Sequence, residues 1–252
     1  MKTYEISSAQ NETFKIFKSL LNSKGIVEHR QSFIFGKKAV LEVKNSKSKM
    51  FGLIVSENHP GPSREFLDLF ENVYKLKESL FAELDIFGSK DPLVLVRIPE
   101  FREIESPLEE GSYLYVPFQD PGNVGAVLRS AAAFKVDGII LSAESAHPFH
   151  PRSSRAASGS LFHHAYFKAS DKFLKTPGLP LIALDKGGES LSHFKFPKSF
   201  ILVPGVEGPG LSPSLIFDFK VGIAIQKDVD SLNAPVAVSI ALYQWAIGRS
   251  PV

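Results

Sequence analysis

Two continuously apolar runs, Leu181 to Leu184 and Phe200 to Val203, lack the in-out alternation of a half-exposed strand. Strands of this kind are covered on both faces, which places them in a mainly parallel sheet sandwiched by helices. Strands are expected at 113–116, 138–141, 164–167, 181–184, 200–203 and 221–225, with a last helix over 234–247. Upstream, Phe14, Phe17 and Leu21 at helical spacing predict a helix over 12–22, with Gly25 as its stop. Phe33 and Phe35 alternate, and a short helix over 38–43, a strand at 51–55, helices near 63–70 and 78–84 and a strand at 93–98 follow. The chain is therefore read as α/β, with a small N-terminal α/β domain at 1–98 and a larger domain at 112–252. The acidic, proline-broken stretch 99–111 reads as a linker.

Charge narrows the partners. The net charge of +2 over 252 residues conceals an uneven distribution: residues 1–50 carry a net +6, 51–111 a net −7 and 112–252 a net +3. A basic first fifth that includes Lys37 and Lys38 is either a solvated face or a footprint for phosphate backbones. The chain has no cysteine, which excludes disulfides, thiolate metal sites and a cysteine nucleophile. No apolar run is long enough to span a membrane and the first eleven residues are polar, so a cytoplasmic location without membrane contact is expected.

Three stretches carry chemistry. From Tyr113 to Phe134 a strand gives way to the turn residues Asp120, Pro121, Gly122 and Asn123, then to a helix with Val124, Val127, Leu128 and Ala131 on one face. Arg129 falls off that stripe and stays available to a ligand, while Asn123 lies by the first outward amides of the helix. A second stretch, Gly205-Val206-Glu207-Gly208-Pro209-Gly210, follows a strand, where open α/β sheets bind ligands. The third runs from Ile225 through Ser231, Leu232 and Asn233 into the last helix, which either Ser231 or Asn233 could cap. Singly, each has an ordinary structural explanation. The glycines lack the three-glycine spacing of a dinucleotide-binding loop, which weighs against a nucleotide-dependent dehydrogenase. His147, His150, His163 and His164 lack any cysteine or His-Glu-x-x-His companion, so no metal is expected.

Together, in this order, the three stretches resemble the motifs of the SpoU (TrmH) family of RNA ribose methyltransferases, within the SPOUT class. The resemblance covers about 112–247, with a segment at Arg155 to Ser160 also similar. Residues 10–98 more weakly resemble the small RNA-binding α/β domain, similar to certain ribosomal proteins, that precedes the catalytic domain in many members. One departure is visible: Gln226 and Lys227 stand where the family usually has proline and methionine, and the loop before Ser231 is shorter. The resemblance implies a trefoil-knotted C-terminal α/β domain that forms a homodimer, binds S-adenosyl-L-methionine and methylates a ribose 2′-hydroxyl of RNA, with rRNA favoured over tRNA. It implies catalytic roles for Asn123, Arg129, Glu207, Ser231 and Asn233, and cofactor contacts at Gly205, Ile225 and Leu232. Lys37, Lys38, Arg152 and Arg155 are the expected RNA contacts. The alternative is a catalytically silent RNA-binding or ribosome-assembly protein on the same fold.

Overall fold

The computed structural model describes residues 1–44, 50–104, 107–169, 173–205, 210–211 and 215–249, with the side chains of Lys37, Lys38 and Glu42 outside that description. The chain divides into two compact units, Met1–Pro99 with His147–Phe162, and Glu100–Ala146 with His163–Val252.

The first unit contains β1 (Lys2–Ile6), α1 (Glu12–Ser19), α2 (Ser23–His29), β2 (Gln31–Ile34), α3 (Lys37–Lys44), β3 (Met50–Ser56), α4 (Arg64–Leu67), β4 (Asn72–Leu76), α5 (Glu78–Leu84) and β5 (Leu93–Arg97). Its five-stranded sheet has the order β1-β4-β3-β5-β2. β1, β4 and β3 run parallel, and β5 is antiparallel to both of its neighbours. β1 has no counterpart in the sequence reading, because this edge strand exposes four of its five residues and so lacks an apolar signature. The helix expected over 12–22 ends at Ser19, and Gly25 lies inside α2 instead of stopping a helix. A Cβ at Gly25 would stand 2.2 Å from the Ser19 carbonyl oxygen, so glycine is required by the close approach of the two helices. Phe14, Phe17, Leu20, Phe33, Ile54, Leu76 and Leu95 form the core of this unit.

The segment His147–Phe162 completes the first unit. The buried Ser32 hydroxyl donates to the Phe149 carbonyl at 2.6 Å, and the Ser154 hydroxyl donates to the Phe33 carbonyl at 3.4 Å. Arg155 lays its guanidinium 4.2 Å from the centroid of the Phe87 ring.

The second unit contains β6 (Arg102–Glu103), β7 (Ser112–Val116), α6 (Pro121–Ala133) and β8 (Gly138–Leu141). After α7 (Pro151–Ala157), which lies in the first unit's segment, come β9 (Ala165–Lys168), β10 (Leu181–Ser190), β11 (Phe200–Pro204), β12 (Phe219–Gly222) and α8 (Ala234–Ile247). Its seven strands are ordered β12-β10-β11-β7-β8-β9-β6. Every pairing is parallel. All residues of β7, β8 and β11 are buried, which is why those runs read as continuously apolar. Within the acidic stretch, Arg102 and Glu103 pair with Phe167 and Lys168. β12 ends at Gly222, short of the expected 225, because Ile223 and Ile225 leave the sheet to line a cleft. Among the described residues no helix is long and apolar enough to cross a membrane.

Candidate functional site

The N-terminus of α6 is built by Asp120, whose Oδ1 accepts from the Asn123 amide at 2.9 Å, with Pro121 in the first helical turn. Asp120 is thus the cap, and Asn123 sits within the first turn. Val124, Val127, Leu128 and Ala131 are fully buried, and Arg129 is exposed, as the helical stripe requires. α6 packs on α8, where the hydroxyls of Ser130 and Ser239 meet at 2.7 Å.

A cleft of about 620 Å³ opens in the second unit, beside the middle of β10 and the carboxyl end of β11. Gly205, Ile225, Ser231, Leu232 and Asn233 all line it, so five of the eight residues expected in catalysis or cofactor binding converge. Asn233 stands at the cap position of α8 without a side-chain capping bond. A Cβ at Gly205 would lie 3.1–3.3 Å from the backbone of Gly210 and Leu211, a tight fit that a larger residue would meet only by displacing that backbone. Its apolar lining comes from Leu184, Val221, Ile223, Ile225, Leu232 and Ala237. Its polar lining comes from Asp185, Lys186, Asp230, Ser231 and Asn233. Of these, Asp185, Lys186 and Asp230 were not singled out from sequence. The one available signal was that Asp185 directly follows an apolar strand, at its carboxyl end.

Asn123 and Arg129 are not among the described residues that line this cleft. Glu207 lies outside the described residues. Arg152 and Arg155 are exposed on α7, in the first unit, and Lys37 and Lys38 open α3. The histidines take separate roles. His150 caps α7 by accepting from the Arg152 amide, His147 accepts from the Phe149 amide, and His163 is exposed. His164 is buried beneath α6, and its Nε2 lies 2.9 Å from the Leu128 carbonyl. That oxygen can only accept, so Nε2 carries the proton, and Nδ1 is left without a partner. Burial pulls the His164 pKa down to about 4; the Leu128 carbonyl opposes the shift and nearby His163 adds to it.

Comparison with known proteins agrees with this geometry. The profile of the SpoU rRNA Methylase family matches residues 114–243, a span that holds α6, the turn after β11 and nearly all of α8. The ribosomal RNA small subunit methyltransferase G 2 of Syntrophobacter fumaroxidans is 37% identical over 245 residues. That match covers 96% of this chain and 49% of the relative, so the chain spans about half of that protein's length. The 23S rRNA (guanosine(2553)-2′-O)-methyltransferase RlmP of Bacillus subtilis is 26% identical over 247 residues, covering 95% of this chain and 98% of that protein. An AdoMet-bound rRNA methyltransferase from Sinorhizobium meliloti superposes with a TM-score of 0.83 at 23% identity over 99% of each chain, a likeness of fold. With its parallel sheet, its ordered motifs and more than half its length inside the family profile, the chain belongs to the SpoU rRNA methylase family.

Proposed function

We propose that this protein is an S-adenosylmethionine-dependent RNA methyltransferase that modifies a ribose 2′-hydroxyl, with rRNA as its preferred substrate. The observation that carries the proposal is the single cleft that gathers Gly205, Ile225, Ser231, Leu232 and Asn233 from separate parts of the chain. Its volume of about 620 Å³ suits a nucleoside-sized ligand, and its mixture of apolar and polar lining suits a molecule with a flat base and a charged amino-acid tail. The name of RlmP, which matches the chain over nearly its whole length, supports the reaction and the rRNA substrate. The S. meliloti protein supports the cofactor.

Backbone at Gly205 and the side chains of Ile225 and Leu232 would hold the cofactor. When bound, it supplies an electrophilic methyl on a sulfonium. The work left to the protein is to orient the ribose hydroxyl in line and to manage the charge it develops. Arg129 is assigned to grip the neighbouring phosphate bidentately and stabilise the developing alkoxide, since a guanidinium holds its proton too tightly to serve as a base. Asn123 and Glu207 orient it, while Ser231 and Asn233 act from the lining of the cleft. RNA is held by Arg152, Arg155, Lys37 and Lys38.

The same reading makes the protein a homodimer through its C-terminal domain. Val236, Ile240, Tyr243 and Ile247 recur at helical spacing on α8 and are 47%, 37%, 55% and 55% exposed, while Val238, Leu242 and Trp245 bury the other face. A helix apolar on both faces calls for cover on both. The trefoil knot belongs to the same reading, and the meeting of Gly205, Gly210, Ile225 and Ser231 to Asn233 in one cleft is compatible with it. A cytoplasmic location fits such an enzyme. The silent-protein alternative loses its motive, because Ile225 and Leu232 line the cleft despite Gln226 and Lys227 between them.

The test is transfer of labelled methyl from S-adenosylmethionine to ribosomal and transfer RNA purified from a strain that lacks the gene. Label in a 2′-O-methylated nucleoside of rRNA is the expected result. Label on a base, or on neither RNA, would refute the proposed reaction.

A further inference from the structure

β10 pairs in register with β11 and β12 as far as Leu184, and then the register breaks, with both Leu184 and Glu189 standing opposite Val221. The residues between them, Asp185 to Gly188, arch out within β10, just past the end of its ladder with β11. Glycines fix the arch. A Cβ at Gly188 would come within 2.4 Å of the Lys220 carbonyl, and one at Gly222 within 2.9 Å of the Asp185 carbonyl oxygen. The backbone that carries Asp185 is therefore clamped against β12.

The Asp185 side chain is equally constrained. Oδ1 accepts from the Gly187 amide at 2.9 Å, and Oδ2 lies 3.7 Å from the Lys220 ammonium, with the side chain 31% exposed and the residue in the lining of the cleft. A turn of this kind needs only one carboxylate oxygen. The other retains lone pairs for a ligand, and Lys220 already offsets part of its charge, which favours neutral donors over a second cation. Asp185 also directly follows Leu184, an apolar residue of the same lining.

We infer that Asp185 recognises the vicinal ribose hydroxyls of the nucleoside held in the cleft. The inference rests on the cleft being the cofactor site. Two adjacent hydroxyls donate naturally to one carboxylate, and an acidic residue near a strand's carboxyl end is a recurrent solution for ribose in α/β sheets.

Calorimetric titration of the wild type and Asp185→Asn with S-adenosylhomocysteine, 5′-methylthioadenosine and the 2′,3′-dideoxy form of the latter tests this. The amide keeps the acceptor for Gly187. The variant should bind the first two ligands roughly tenfold to a hundredfold more weakly, and the dideoxy ligand as well as the wild type does. A loss confined to S-adenosylhomocysteine would place the carboxylate at the amino-acid end and overturn the inference. Equal wild-type affinity for methylthioadenosine and its dideoxy form would overturn it without any variant, should Asp185→Asn fail to fold. Wild type that binds none of the three removes the cofactor reading of the cleft and the inference with it.

Discussion

The Ser130 and Ser239 hydroxyls meet at 2.7 Å and join α6, which carries Asn123 and Arg129, to α8, whose first turn lines the cleft. Each hydroxyl also faces a backbone carbonyl four residues back, Ala126 at 3.3 Å for Ser130 and Pro235 at 2.7 Å for Ser239, and the shorter Ser239 bond favours Ser130 as the donor between the two. Each alanine substitution should cost about 1 kcal/mol, and the double variant less than the sum by several tenths. Urea melts of the four proteins measure the coupling; strict additivity would mean that the contact contributes nothing.

Arg129→Ala should lower kcat/KM by on the order of a hundredfold to a thousandfold, as expected for loss of a group that stabilises developing charge. Because Arg129 is exposed and is not among the described residues lining the cleft, the Kd for S-adenosylmethionine should stay within about twofold of wild type. Arg129→Lys should remain impaired, since lysine loses the bidentate grip. Near-normal turnover of the lysine variant would contradict the positioning role.

The exposed stripe on α8 predicts a dimer in solution. Introducing charge at its centre, with Ile240→Glu and Tyr243→Glu together, should halve the sedimenting mass and abolish methyl transfer. A wild-type protein that sediments as a monomer at micromolar concentration would rule out the homodimer.

His164 predicts an acid-sensitive fold. In the unfolded chain its imidazole takes a proton near 6.5, but in the folded protein only near 4, because burial disfavours the charge. The unfolded state therefore binds more protons between these values. Stability from this group is complete above about pH 6.5 and is lost as pH falls toward 4, by about 3 kcal/mol at most. In His164→Gln, whose amide can still donate to Leu128, stability should depend less steeply on pH across that window. An unchanged slope would show that His164 does not titrate as described.

The N-terminal unit should depend on its distant segment. A fragment of residues 1–99 lacks Phe149, Ala157 and Leu161, all fully buried, and the partner of Ser32. Restoring 147–162 through a flexible linker should raise its unfolding free energy by about 3 kcal/mol or more. Equal urea midpoints with and without the segment would show that the segment adds no stability.

The sequence by itself determined what depends on local period. The buried stripe of Val124, Val127, Leu128 and Ala131, the exposure of Arg129 and the doubly covered strands at 113–116, 138–141 and 200–203 follow from which side chains can reach water at helical or extended spacing. The three motifs, read as a set, also named Gly205, Ile225, Ser231, Leu232 and Asn233, five of the fifteen described residues that line the cleft. Edge strand β1 escaped notice because it buries almost nothing, and Gly25 misled because a close helix approach and a helix stop require the same residue. Tertiary structure alone decided that Gly205, Ile225 and Ser231 to Asn233 meet across one cleft with Asp185. It alone assigned residues 147–162 to the first unit. Periodicity reports which face of an element is buried, whereas the partner on that face is chosen by packing between segments far apart in the chain.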